Sequence, residues 1–298
     1  MKKTLFALSI LAASLLGVTG CHSSNKNLAR VTYGTLVAEK AMELNYGDLA
    51  QRIARKENML LSVYDDSGTP CGCWTTFHAV IDSYVKEYDT MVYYIGRSQF
   101  SDDAEKYGLT ILTVGTDPTF AFIKDGKKTN EYIYGKDTKP MFSSLSDLRT
   151  AVSKIARDPQ YFFVDEEYLD NALFTEKKDK VIVQYIWNFC PDCLYCFPNV
   201  MFPYSEKNEF KTKIWLIDLG VKGYLLDDDG KWLGTSNPPY VEFMKEHHLS
   251  QAGDEVFGYD RGFVPSIQVW EKGVLKDMNV YFNDEVTLQD NKYIITRS

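Results

Sequence analysis

The stretch WNFCPDCLYCFP, residues 187 to 198, holds Cys190, Cys193 and Cys196 at three-residue intervals, and an earlier stretch, CGCW, holds Cys71 and Cys73 one residue apart. Cysteines in such clusters can be staples, metal ligands or redox centres. Short loops make poor staples, because closing them removes little entropy from the unfolded chain. A thiolate metal site ordinarily takes four ligands. Outside the clusters only distant candidates such as His247 and His248 remain, an adjacent pair that reads as a solvated helix end. Redox chemistry asks for less: two sulfurs able to join, one of them a ready thiolate. Unpaired N–H groups and the dipole at a helix start stabilise such a charge.

The flanking sequence supplies a helix start. KVIVQYI is an apolar strand, the cysteine cluster opens a helix, and KIWLIDL is the next strand; GFVPSIQVWEKGVLKDMNVYF then gives strand, turn at Lys272-Gly273, and strand. The first half repeats this plan. MLLSVY (Met59 to Tyr64) is a strand, and CGCW leads into a helix whose Trp74, Phe77, Ile81, Tyr84, Val85 and Tyr88 recur at helical spacing. MVYYI is a strand followed by a short polar helix. GTDPTFAFIKDGKKTNEYIYG is strand, turn at Asp125-Gly126, strand, and Ser143 to Ala156 closes the unit as a helix. The second half has no clear closing helix. It carries instead a long connection, Gly220 to Gly262, of a length that is usually functional or poorly ordered.

This arrangement resembles the thioredoxin superfamily, in which an apolar strand leads to Cys-x-x-Cys at a helix start, with proline five residues after the second cysteine. Cys190, Cys193 and Pro198 stand in that register, with Phe189 where tryptophan is usual. Pro265 in FVPS matches the family's cis-proline, and Pro118 takes that place in the first half, preceded by Asp117. The resemblance implies an α/β chain of two tandem thioredoxin-like domains, each a mixed sheet flanked by helices. It implies Cys190 as nucleophile and Cys193 as resolving residue, with Val264 and Pro265, and in the first half Asp117 and Pro118, facing bound substrate. Gln184 stands where thioredoxin has a buried aspartate, leaving no obvious base for Cys193. Asp192, between the cysteines, should oppose thiolate formation, which favours a reductase or isomerase over a strong oxidant.

Cys196 fits less directly. Side chains at i and i+3 on a helix have Cβ atoms about 5–6 Å apart, against about 3.8 Å for a disulfide. It reads as a small buried residue, or else as a third metal ligand with Cys190 and Cys193. Cys71 and Cys73 could bridge only in a strained loop, which Gly72 helps to permit. Such a disulfide is readily reduced and suits electron exchange with the second site.

The amino terminus, MKKTLFALSILAASLLGVTGC, has a basic start, an apolar run from Leu5 to Val18 too short to span a bilayer, and small residues before Cys21. VTGC resembles a bacterial lipobox, which implies export, lipid modification (palmitate) of Cys21 and a membrane-held protein on the extracytoplasmic face. Residues 1–21 are then a lipoprotein signal peptide, 22–40 a tether, 41–158 the first domain and 159–298 the second. Net charge is −8, and −10 once Lys2 and Lys3 are removed, with no basic run. That argues against nucleic acid. The expectation is a membrane-anchored extracytoplasmic thiol–disulfide oxidoreductase acting on protein or small-molecule disulfides without a cofactor, with a membrane protein as electron-transfer partner. The alternative is a non-catalytic binding or accessory lipoprotein on the same fold, its clustered cysteines holding metal or inert.

Overall fold

The computed structural model describes residues 28–67, 72–99, 118–133, 144–187, 190–220, 223–234, 236–249 and 264–280. In chain order its regular elements are β1 (Tyr33–Thr35), β2 (Met42–Glu43), α1 (Tyr46–Ala54), β3 (Met59–Tyr64), α2 (Gly72–Tyr88), β4 (Val92–Gly96), β5 (Thr119–Lys124), β6 (Lys127–Ile133) and α3 (Leu145–Val152). They continue with β7 (Tyr161–Phe163), α4 (Glu166–Asp170), β8 (Val181–Ile186), α5 (Pro191–Cys196), α6 (Phe202–Lys207), β9 (Ile214–Asp218), α7 (Pro238–Glu246), β10 (Ser266–Glu271) and β11 (Val274–Val280). Among the described residues no helix is long and apolar enough to cross a membrane.

Two mixed sheets result. One runs β2-β4-β3-β5-β6, parallel as far as β3 and antiparallel beyond it. The other contains β7-β9-β8-β10-β11 with the same pattern. In each, the strands lie in the order first, third, second, fourth, fifth, which is the thioredoxin-like plan. The central strands β3 and β8 are buried almost from end to end because both their faces are covered, with Ser62 and Gln184 the polar residues among apolar ones. The hairpins close where the sequence requires positive φ: Asp125 and Gly126 at 50° and 76°, Lys272 and Gly273 at 53° and 77°. On α2 the stripe of Trp74, Phe77, Ile81, Tyr84 and Val85 is buried against β3, β5 and α3, as its periodicity predicts.

Two features depart from the sequence reading. First, the segment expected to be a tether is built into the fold: β1 pairs in parallel with β7 on the outer edge of the second sheet. Its Thr35 N–H also donates to Asp89 O and its Tyr33 carbonyl accepts from Met91 N–H, so β1 is a seam between the two units. Gly34 is required there, because a Cβ would lie 2.2 Å from Asp89 O and 2.5 Å from the Phe162 ring. Two strands, β1 and β2, are too short to carry a period. Second, the connection after Gly220 contains α7, started by Pro238 and Pro239, and a bridge between Leu226 and Trp232. Residues 97–99 form a 3-10 turn, and the stretch beyond them, where the sequence suggests a short polar helix, lies outside the described residues. The leader with Cys21, and Cys71, Asp117 and the chain after Val280, lie outside the described residues.

The seam is reinforced by charge. Arg30 donates to Ser205 O and Glu209, and Arg157 to Glu206 O, Glu206 and Glu209. Both guanidiniums are buried at the carboxyl end of α6, where helix carbonyls favour cations.

Candidate functional site

Strand β8 delivers the chain to Trp187, and Pro191 opens α5 at its first position, where a missing N–H costs nothing. Cys190 is therefore the N-cap residue and Cys193 lies in the first turn. Cys190 is 8% exposed and Cys193 fully buried. The two thiols are hydrogen-bonded to one another, and the backbone N–H groups of Cys193 and Asp192 also point at the Cys190 sulfur. Those bonds bring the Cys190 thiol down to about 7, the Cys193 bond first, against the opposing effect of burial. The Asp192 carboxylate does oppose the thiolate, but its pull is outweighed by its own N–H. Burial, and then the bond to Cys190, push the Cys193 thiol far up, while the Trp187 N–H donates to its sulfur at 3.4 Å.

Val264 and Pro265 lie beside the cysteines. Val264–Pro265 is a cis peptide just before β10, and the Cys190 thiol donates to Val264 O at 3.2 Å. The sulfur thus faces the backbone edge that precedes β10. Gln184 is buried behind the site, its amide donating to Met201 Sδ at 3.1 Å, and offers no base. Cys196 is fully buried, and burial first, with Asp192 and Cys190 adding, pushes its thiol up to about 12. It packs as a neutral apolar residue.

Two aromatic contributions had weak signals in the sequence. Trp187 stacks on Trp232 with ring centroids 4.9 Å apart, and no side chain beyond hydrogen fits at Gly220 beside it. Tyr240, buried on α7, lies close enough to feel the Cys190 charge, although burial is the main cause that lifts its hydroxyl to about 12. Both Trp232 and Tyr240 come from the long connection, whose pattern gives no register to the site.

In the first unit Cys73, in the first turn of α2, is disulfide-bonded. Pro118 is buried at the start of β5. Trp74 stacks on Tyr64 at 4.3 Å within the core. Elsewhere the expectation of a solvated histidine pair fails: His247 is fully buried. Among the described residues, the side chains whose ligand atoms converge as a metal site's would are Glu166, Asp170 and His247, not the three cysteines.

No protein-family model matches the sequence, and comparison with curated proteins also gives no match. Solved structures do match. A mutant thioredoxin from Halobacterium salinarum NRC-1 is 18% identical over 42% of this chain and 97% of its own, with a TM-score of 0.31. Schistosoma mansoni thioredoxin is 22% identical over 39% of this chain and 96% of its own, with a TM-score of 0.29. Human ERp44 in a zinc-bound form is 14% identical over 86% of this chain and 57% of its own, with a TM-score of 0.29. The thioredoxin-like fold stated for this chain rests on its own strand order and connections.

Proposed function

We infer that the chain is a thiol–disulfide oxidoreductase working through Cys190 and Cys193. The observation that carries the reading is Cys190 at the N-cap of α5, bonded by the Cys193 thiol and by two backbone N–H groups, with its sulfur against Val264 O. The Cys190 thiolate attacks a substrate disulfide, forming a mixed disulfide and releasing one substrate thiolate. Cys193 then attacks the Cys190 sulfur, closing the protein disulfide and releasing the second substrate sulfur as a thiolate. With Gln184 in place of an acid, the departing substrate thiolate takes the Cys193 proton. Electrons and protons balance: the protein dithiol is oxidised and the substrate disulfide reduced.

A Cys190 thiol at about 7 is the value of a thioredoxin-type reductant, whereas strongly oxidising sites lie at about 3.5. That value supports a reductase or isomerase direction. The amino-terminal VTGC supports lipid attachment at Cys21 and a place on the outer face of a membrane, with Cys71 and Cys73 as a second exchange site fed by a membrane partner. Insulin reduction by the wild type and by Cys190→Ser tests the reading. Loss of turnover in the variant is expected, and wild-type turnover in the variant would end it.

A further inference from the structure

His247 closes α7 as its C-cap residue, and its ring is clamped rather than solvated. Phe243 stacks on it at 4.2 Å, Phe174 and Tyr185 flank it, and Gln268 Nε2 donates to its carbonyl at 2.8 Å. Its Nδ1 meets the Tyr185 hydroxyl at 3.2 Å. The other nitrogen, Nε2, is fully buried and faces the carboxylates of α4. It lies 3.1 Å from Asp170 Oδ1, yet among the described residues neither atom has a hydrogen-bond partner. The two approach one another without the alignment that a ring N–H would need. Glu166, one turn before Asp170 on the same helix, brings a third donor, and all three ligand atoms lie within 4.8 Å of one another.

A ring nitrogen and two carboxylate oxygens that converge on a shared point, not on each other, form a cation's donor set. Ligands about 2.1 Å from a tetrahedral ion lie about 3.4 Å apart, which these separations allow. Supporting bonds are also in place: the Tyr185 hydroxyl can accept from Nδ1–H, the tautomer that leaves Nε2 bare for an ion, and the Tyr224 hydroxyl donates to Glu166 Oε2. Imidazole with carboxylates favours zinc-class divalent ions over magnesium or calcium, which prefer all-oxygen sets. Glu166 and Asp170 are part-exposed, so an ion can enter past them.

We propose that Glu166, Asp170 and His247 bind one divalent zinc-class ion, a clamp joining the amino-terminal helix α4 of the second unit to the end of α7. The site shares no residue with Cys190 or Cys193 and stands whether or not the redox reading does.

The test uses the full chain with Cys190, Cys193 and Cys196 all replaced by serine, which removes the thiolates that could bind the same ion. Zinc and cobalt titrations by calorimetry and by cobalt absorption are expected to give one site, with no thiolate charge-transfer band. His247→Gln in that background, or Asp170→Asn where the first fails to fold, weakens binding at least about tenfold, the scale on which metal sites respond to lost partners. Excess zinc raises the melting temperature of the parent and not of the variant. Absence of zinc binding once the cysteines are gone, or equal affinity in both histidine and aspartate variants, would overturn the proposal.

Discussion

Removing the Cys193 thiol should raise the Cys190 pKa, and the size of the effect can be worked from the site. Relative to its ordinary 9.0, Cys190 stands at about 7, a preference for the thiolate of about 3 kcal/mol. At pH 7 about half of it is ionised, against about 1% for the ordinary thiol, a gain of about 50-fold in thiolate. Nucleophilicity falls with basicity at a slope of about 0.4–0.5, returning about 8-fold and leaving a net gain of about 6-fold. The Cys193 bond is the largest cause, with the N–H groups of Cys193 and Asp192 behind it. In Cys193→Ala the backbone donors stay, so the midpoint moves up without reaching the ordinary value; Cys193→Ser keeps a donor and moves it less. The assay is the pH dependence of Cys190 alkylation by iodoacetamide, with Cys196 replaced to keep one reactive thiol. An unchanged midpoint in Cys193→Ala would refute the assignment of the thiol–thiolate bond as the dominant cause.

The remaining expectations use the same geometry. The folded pKa of Cys190 is depressed, so its contribution to the reduced protein is full above about 9, where the unfolded thiol also ionises, and is lost as pH falls through about 7; reduced-protein stability should therefore rise from pH 6 to 9 in wild type and lose that rise in Cys190→Ser, as urea midpoints will show. Asp192→Asn, by removing the opposing charge, should lower the alkylation midpoint and make the dithiol harder to oxidise, read against a glutathione buffer; a raised midpoint would contradict the sign. Cys196→Ala should leave insulin reduction unchanged and cost about 1 kcal/mol of stability for the lost sulfur, and an inactive but folded variant would give that thiol a role in exchange. Gly34→Ala drives a methyl into Asp89 O and Phe162 and should cost about 1–3 kcal/mol by denaturant unfolding. Arg157→Ala should cost about 1–3 kcal/mol, part-exposed Glu206 and Glu209 tempering the loss, with the Cys190 midpoint left at its wild-type value.

What the sequence disclosed follows from where its signals are local. Strands β3 and β8 are apolar runs each broken by one polar residue, Ser62 and Gln184, the two hairpin turns need Asp-Gly and Lys-Gly, and Cys190-Pro191 marks a helix start; each is decided within a few residues. The seam strand β1 has three residues and takes its structure from Phe162 and Asp89, far along the chain, so no period announces it. His247 beside His248 looks polar and solvated, yet one is buried because α7 ends against Phe174, Tyr185 and Gln268. Trp232 and Tyr240 reach the cysteine site from a connection whose composition reads as loop. In every case the missing information was a tertiary neighbour, not a propensity.

The placement of β1 bears on why the thiolate site holds its shape. Helix α5 is only six residues long, too short to persist alone. It continues through a π-helical turn at Phe197–Met201, which accommodates Pro198 with the Phe202 N–H bonding to Phe197 O, and then into α6. At the far end Arg30, from the residues before β1, and Arg157, from the segment after α3, tie down the Ser205 and Glu206 carbonyls. Partway along, Tyr33 of β1 packs edge-on against Phe202, which stacks on Phe197. From Pro191 to Lys207 the helix spans about 25 Å, well beyond a Debye length of about 8 Å at physiological salt. The two arginines therefore do not tune the sulfur by charge. They act by fixing the rod whose free N–H groups face Cys190, so the amino-terminal segment of one unit and the helix of the other form one mechanical element, and the chemistry sits at its tip.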